Sequence, residues 1–438
     1  MRRASFVSML VALVAALPLA AQQSSAAPAD SLRLSALQAE AQAADPRLRQ
    51  LALQSRSTAL GLRSLDAERL PSLSGTGLAQ YQSAVTHVQL AVPGFTVPTP
   101  PNNTIDAHLN AQQSILDPTR KPREALEQAQ LDESRAQVHT TLYGLRQDVN
   151  EAFFSALLGQ ERAAQLEATI ADLEARLRET ETRRREGTAT PGDTAAIAAT
   201  LLQRGQDLAQ VRADRRAALN RLSDLTGRTI PDSMPLAIPA TDTTVARARQ
   251  FSIDSLRARP EYRQYAATRD RLAQQEAVVA AQDKPRLSAF GRLGFGRPGL
   301  NMLSSEFQSY WIAGVQVQWA PWNWGTTERD RESLAIQRDI VTTNEAAFTA
   351  GVRRGVEQSL ATMQRLDTTL ALDDRIIALR EQVERETAAK LREGVVTAAE
   401  YADRASELLA ARLARAQHRV ELAQARAAYL TTIGVDAP

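Results

Sequence analysis

Three carboxylates stand out by their spacing. Asp193 lies six residues past Gly187, Glu400 lies six past Gly394, and Asp403 follows Glu400 by three, on the same helical face. Both glycines belong to a repeated break, Arg-Glu-Gly followed by a Thr three residues later. The copies read Gly187-Thr188-Ala189-Thr190 and Gly394-Val395-Val396-Thr397. Two readings are open for the acids. If several copies of the chain converge on one axis, the carboxylates form a ring that favours cations, repels itself and so regulates a narrow opening. In a single chain they are helix N-terminal acids, stabilised by the helix dipole by roughly 0.3–1 kcal/mol.

Little else in the chain suggests chemistry. The histidines, His87, His108, His139 and His418, are scattered, with no pair at ligand spacing on one element. No metal site is expected, and each reads as a solvated polar-face residue. Gly291-Arg292-Leu293-Gly294-Phe295-Gly296 has the outline of a dinucleotide loop, but no helix follows and no Lys-Ser/Thr is present. Those glycines read instead as easing strand curvature. With no nucleophile elbow, paired-carboxylate setting or triad signature, neither an enzyme nor a cofactor is expected. The absence of cysteine excludes disulfides, thiolate catalysis and zinc ribbons. Lys and Arg total 52 against 50 Asp and Glu, so nothing suggests a nucleic-acid tract.

The acids are positioned by a duplicated plan. Pro46 and Pro71 recur at Pro260 and Pro285, an offset of 214, while Gly187 and Gly227 recur at Gly394 and Gly434, an offset of 207. Collinear anchors of this kind mark an internal repeat. We divide the chain into a signal peptide (1–21), a first repeat (22–227), a linker (228–256) and a second repeat (257–438). The first repeat predicts a short helix from Pro46 to Leu70, a strand pair over 72–117, a long helix over 122–186 and a helix over 190–226. The second predicts a short helix, a strand pair over 286–320, a long helix over 327–392 and a helix over 398–433. Val138, Leu142, Leu145, Val149, Ala152 and Ala156 step by fours and threes, a heptad seam. Leu409, Leu413, Ala416, Val420, Ala423, Ala427 and Leu430 form another. Each short and medium helix together match the long helix beside them, roughly 97 Å by helical rise. The expected shape is a rod with strands at one end and hairpin tips at the other.

Arg2-Arg3 and the apolar run from Phe6 to Leu19 read as an export signal. No later apolar run is long enough for a membrane helix, so any membrane entry must use strands. Trp311, Ala313, Val315, Val317 and Trp319 share one strand face. Trp311, Trp319, Trp322 and Trp324 fit an aromatic belt at a bilayer interface. Four strands cannot close a barrel and open edges do not survive in lipid, so a membrane sheet needs further copies. A soluble periplasmic coiled-coil adaptor or scaffold is the alternative that the long hairpins alone would allow.

The ordered set of motifs resembles the TolC-type outer-membrane efflux proteins. It comprises the repeat, the exits at Leu70-Pro71 and Lys284-Pro285, and two strand-to-helix junctions, Ile115-Leu116-Asp117-Pro118-Thr119 and Pro321-Trp322-Asn323-Trp324-Gly325. The tip turns and Leu222 to Gly227 complete it. Pro118-Thr119 departs from the family's junction, and Pro191-Gly192 departs at the first tip, where a looser turn is expected. The resemblance implies a homotrimer whose strands make a closed twelve-strand barrel in the outer membrane, with the helices forming a periplasmic tunnel. It implies a tip gate at Asp193, Glu400 and Asp403, the second-repeat pair forming the constriction. It also implies that Gly187, Thr188, Ala189, Thr190, Gly394, Val395, Val396 and Thr397 meet a periplasmic adaptor. An inner-membrane pump would supply the energy.

Overall fold

A computed structural model describes residues 32–86, 99–248, 253–302 and 304–435. The segment read as a signal peptide, His87 and most of the loop between the first two strands lie outside the described residues. In chain order the elements are α1 (Leu34–Ala44), α2 (Arg47–Ala67), β1 (Ser72–Tyr81), β2 (Asn103–Leu116), α3 (Arg120–Arg185) and α4 (Pro191–Thr226). There follow α5 (Asp242–Ala248), a 3-10 segment (Ile253–Ala258), α6 (Pro260–Gln282), β3 (Arg286–Arg297), β4 (Gln308–Gln318), α7 (Thr326–Arg392) and α8 (Ala398–Ile433). The long helices α3 and α7 hold 66 and 67 residues, and α4 and α8 hold 36 each. A 66-residue helix rises roughly 100 Å.

The heptads do what their spacing requires. All six residues from Val138 to Ala156 are buried, as are Leu409, Ala416, Val420, Ala423, Ala427 and Leu430. The main core lies where α1, α3, α4 and α8 meet, around the fully buried Phe153 and Phe154, stacked edge to face. Burying each such ring is worth roughly 1.5–3 kcal/mol. Two regions differ from expectation. Leu34, Leu37 and Ala41 of α1 join this core, though no such helix was expected before Pro46. The segment read as a linker is also packed: Ile230, Leu236 and Val245 are core residues, and Leu236 pairs with Leu32. Apolar side chains too sparse to show a period still find a groove between the long helices.

The two strand pairs join through β2 and β3 into one antiparallel sheet in the order β1-β2-β3-β4, leaving β1 and β4 as edges. Register aligns Leu109 with Leu293 and Leu293 with Trp311 on one face, where Leu109, Trp311, Val315 and Val317 are all exposed. Asp106, His108, Asn110, Arg292 and Tyr310 lie on the other. Here Gly294 and Gly296 have a specific use. A Cβ at Gly294 would run into the Tyr310 ring, and one at Gly296 would meet the Asp106 carboxylate. The bare strand lets Tyr310 reach across β3 and donate to Asp106 Oδ1 at 2.6 Å, while His108 Nδ1 lies 2.5 Å from Asp106 Oδ2. Two histidines expected to be solvated are therefore paired, His108 here and His418 with the buried Asp373 on α7 at 2.7 Å. The two acids, the partly buried Asp106 of β2 and the buried Asp373 of α7, would otherwise lack these partners as they leave water.

The tryptophans do not sit together. Trp311 lies near the start of β4 and is 73% exposed, whereas Trp319, Trp322 and Trp324 follow its end, beside α7. Strand rise puts roughly 26 Å between Trp311 and Trp319 along the chain. One expected belt becomes aromatic residues at both ends of the strand.

Contacts between the helices give each end of the rod an order. Towards the tips the arc runs α7–α8–α3–α4, and towards the sheet it runs α7–α6–α3–α2. Among the described residues the chain therefore has two open edges. One is β1, α2 and α4, and the other is β4 and α7.

Candidate functional site at the hairpin tips

The two tip turns are the same structure. Gly187 and Gly394 take φ of 76° and 74°, a left-handed conformation that glycine adopts without strain. At each, the glycine N–H donates to the carbonyl three back, and the next N–H to the carbonyl five back. These are Gly187 to Arg184 and Thr188 to Arg183, then Gly394 to Leu391 and Val395 to Lys390. This is a Schellman end, which satisfies carbonyls that α3 and α7 leave open. Thr190 and Thr397 are the N-caps of α4 and α8, their hydroxyl oxygens accepting from Asp193 N and Glu400 N, each at 3.2 Å.

From there the tips diverge. Asp193 Oδ2 accepts from the Thr190 amide at 3.0 Å and the Thr190 hydroxyl at 2.7 Å, completing a reciprocal capping box. Its other oxygen accepts from the Ala398 amide at 3.1 Å, at the start of α8. These bonds, led by the Thr190 hydroxyl and joined by the Arg183 charge, hold the Asp193 carboxyl below the usual range, against burial pushing it up. Pro191 occupies the first helical position, where its missing N–H costs nothing. The first tip is therefore closed tightly, not loosened as Pro191-Gly192 suggested. Glu400 and Asp403 are exposed, and among the described residues neither carboxylate makes a hydrogen bond or ion pair. Val395 is exposed as well.

Two further contacts tie the hairpins together. Arg183 Nη1 donates to the Leu391 carbonyl at 2.6 Å. The Tyr401 hydroxyl donates to Asp172 Oδ2 at 2.8 Å, with the Arg176 guanidinium 5.5 Å from its ring centre. Tyr401 is fully buried; burial first, then the Asp172 charge, drives its hydroxyl pKa far up, so it stays a donor at any working pH. Its ring belongs to a core drawn from all four helices: Leu173, Ile197, Ala388, Leu391, Ala398, Tyr401 and Ala405. Periodicity did not single out Tyr401, because its place on α8 faces the other hairpin and not the seam with α7.

Among the described residues no helix is long and apolar enough to cross a membrane, and no group of three or more potential ligands could hold a metal. No curated protein matches the chain in sequence. Residues 37–228 match the family model described as outer membrane efflux protein. Among solved structures, CusC, whose crystal structures concern folding and transmembrane channel formation, superposes with a TM-score of 0.70 at 17% identity, covering 92% of both chains. The outer membrane protein VceC of Vibrio cholerae gives 0.65 at 15%, covering 92% of this chain and 96% of its own. The outer membrane channel MtrE of Neisseria gonorrhoeae, in its open state, gives 0.65 at 18%, covering 92% and 89%. Over residues 37–228 the chain is similar to the outer membrane efflux protein family, and over nearly its whole length it has the fold of the solved outer-membrane channels.

Proposed function

We propose that three copies of this chain form the outer-membrane channel of a tripartite export system. The duct passively conducts small molecules or secreted substrates, delivered by a periplasmic adaptor and an inner-membrane pump, to the exterior. The observation that carries this reading is the pair of open edges running from sheet to tips. A sheet with an exposed apolar outer face and two unpaired edges is viable in lipid only when closed. Joining β4 of one copy to β1 of the next, three times, gives twelve strands and abolishes every edge. The same step lays α7 of one copy along α2 and α4 of the next and closes the helices into a tunnel. A soluble adaptor has no use for such a sheet.

In this assembly Trp311 faces the outer interface of the bilayer, and Trp319, Trp322 and Trp324 face the periplasmic one. The gate is the ring of Glu400 and Asp403 carboxylates, three of each, with Asp193 holding the start of α8 in place. The turns Gly187-Thr188-Ala189-Thr190 and Gly394-Val395-Val396-Thr397 form the surface offered to the adaptor. No cofactor is required, because the energy comes from the pump.

Fractionation and planar bilayers test this reading. The chain is expected in the outer membrane and as a trimer in mild detergent; a periplasmic monomer overturns it. Glu400→Ala with Asp403→Ala is expected to raise single-channel conductance severalfold and to weaken block by divalent cations. Unchanged currents with unchanged block would reduce those acids to helix-end residues.

A further inference from the structure

We propose that the polar face of the sheet carries a subsite for planar aromatic anions, built by Arg292 between the rings of Phe290 and Tyr310. It rests on the trimeric-channel reading and deepens it by naming a class of cargo. Closing three sheets with the apolar face to the lipid turns the face of Asp106, His108, Asn110, Arg292 and Tyr310 to the lumen. Register puts Phe290 on that face as well, two positions from Arg292 and opposite Gly314. Twelve strands tilted by about 40° enclose a backbone ring about 24 Å across, so a molecule crossing the lumen passes close to the wall.

The two rings lie along this wall. A Cβ at Gly314 would come within 2.8 Å of Phe290 Cζ, so the Phe290 ring reaches over β4. Tyr310 reaches the other way, over Gly294 of β3, to Asp106. The bare glycines seat both rings, which keep one side on backbone and turn the other to the lumen. Phe290 is still 38% exposed, on a face that is mostly polar. Arg292, exposed between the rings, donates from Nε to Asn110 Oδ1 at 2.8 Å. Among the described residues it makes no ion pair, and Asp106, the one acid on this face of the described strands, is taken by Tyr310 and His108. The two Nη groups are left for a carboxylate or sulfonate, in the bidentate geometry that a guanidinium favours. An aromatic ring carried by that anion comes down beside Phe290 or Tyr310, where it stacks. A solvated arginine or a single ring holds little alone. Together they select a planar anion and still release it, as conduction requires.

Planar bilayers holding the full-length trimer test this, with probes added to either side in turn. 2-Naphthoate is expected to reduce the current partially. Cyclohexanecarboxylate, of equal charge, and 2-naphthylmethylammonium, with the same ring and the opposite charge, should each need at least about tenfold more. Arg292→Gln should raise the half-blocking concentration of 2-naphthoate about tenfold or more, and Phe290→Leu about threefold. Arg286→Gln removes the same charge from the same face, opposite Gln318 and beside no ring, and should leave that concentration unchanged. If Arg292→Gln does not assemble, Arg292→Lys replaces it and should lose most of the effect, since an ammonium has no bidentate fork. Equal block by the three probes, or equal effects at Arg292 and Arg286, overturns the subsite and leaves the channel standing. Binding to the protein in detergent, followed by the fluorescence of 2-naphthoate, separates the two readings. Binding that Arg292→Gln removes from a protein carrying no current supports the subsite while the channel reading fails. Binding that is the same in parent and variant overturns the subsite.

Discussion

At the first tip the acid six residues past the glycine has both oxygens occupied, capping its own helix with one and reaching α8 with the other. At the second tip the acid in the same place, Glu400, stands in solvent with Asp403 one turn on. Pattern alone suggests the reverse. Thr397-x-x-Glu400 is the usual capping-box pair, and Thr190-x-x-Asp193 carries the shorter acid. The difference is that Asp193 serves two helices. It accepts the Ala398 amide, one of the four donors that α8 leaves open, while the Thr397 hydroxyl takes the Glu400 amide. The Glu400 carboxylate itself takes part in neither bond. The duplicated turn has become a strut in one copy and a charge carrier in the other.

Substitutions that strike the strut side should cost stability, and those on the charge side should not. Tyr401→Ala is expected to be the most damaging, lowering the opening free energy of the tip by about 3–5 kcal/mol, since it empties a core shared by four helices. Val395→Ala, exposed at the same turn, should change it by less than about 0.5 kcal/mol. Native-state hydrogen exchange of tip amides reads both. Equal effects would mean that the tip core does not hold the hairpins. Next in size, Asp193→Ala should cost about 1–2 kcal/mol through the lost cap, while Glu400→Ala should fall within about 0.5 kcal/mol of no change. Comparable losses from the two acids would erase the contrast between the tips.

Much of this architecture could be read from the chain. The heptads beginning at Val138 and Leu409, the alternation around Trp311 and the glycine breaks fixed helices, strands and tips to within a few residues. Periods of 3.5 and 2 leave such marks when one face of an element meets one partner. What escaped were residues serving a second partner. Tyr401, Leu408, Leu422 and Tyr429 are buried off the seam of α8, because α3 lies along its flank. A heptad names one neighbour only. The reach of Asp193 to Ala398 spans 205 positions and joins two repeats, so no local pattern encodes it. Gly294 and Gly296 read as easing strand curvature, and their use becomes visible only once register places Tyr310 beside them.

Acid should find the strut before it finds the fold. Asp193 has its folded pKa depressed by the Thr190 hydroxyl, the Ala398 and Thr190 amides and the Arg183 charge. On acidification the carboxyl of an opened tip therefore takes up a proton before the closed one does. The stability it lends is fully present above the ordinary carboxyl value of about 3.9 and is lost as pH falls through the lower folded value. Protection of the Ala398 amide, corrected for intrinsic exchange, is expected to be level from about pH 8 to about pH 5 and to fall below about pH 4. Asp193→Asn keeps an acceptor but not the charge, so its protection should start lower and show no such fall. A decline in the parent protein already at about pH 6 would lie too high for a depressed carboxyl, and the tie between the tips would then depend on another group.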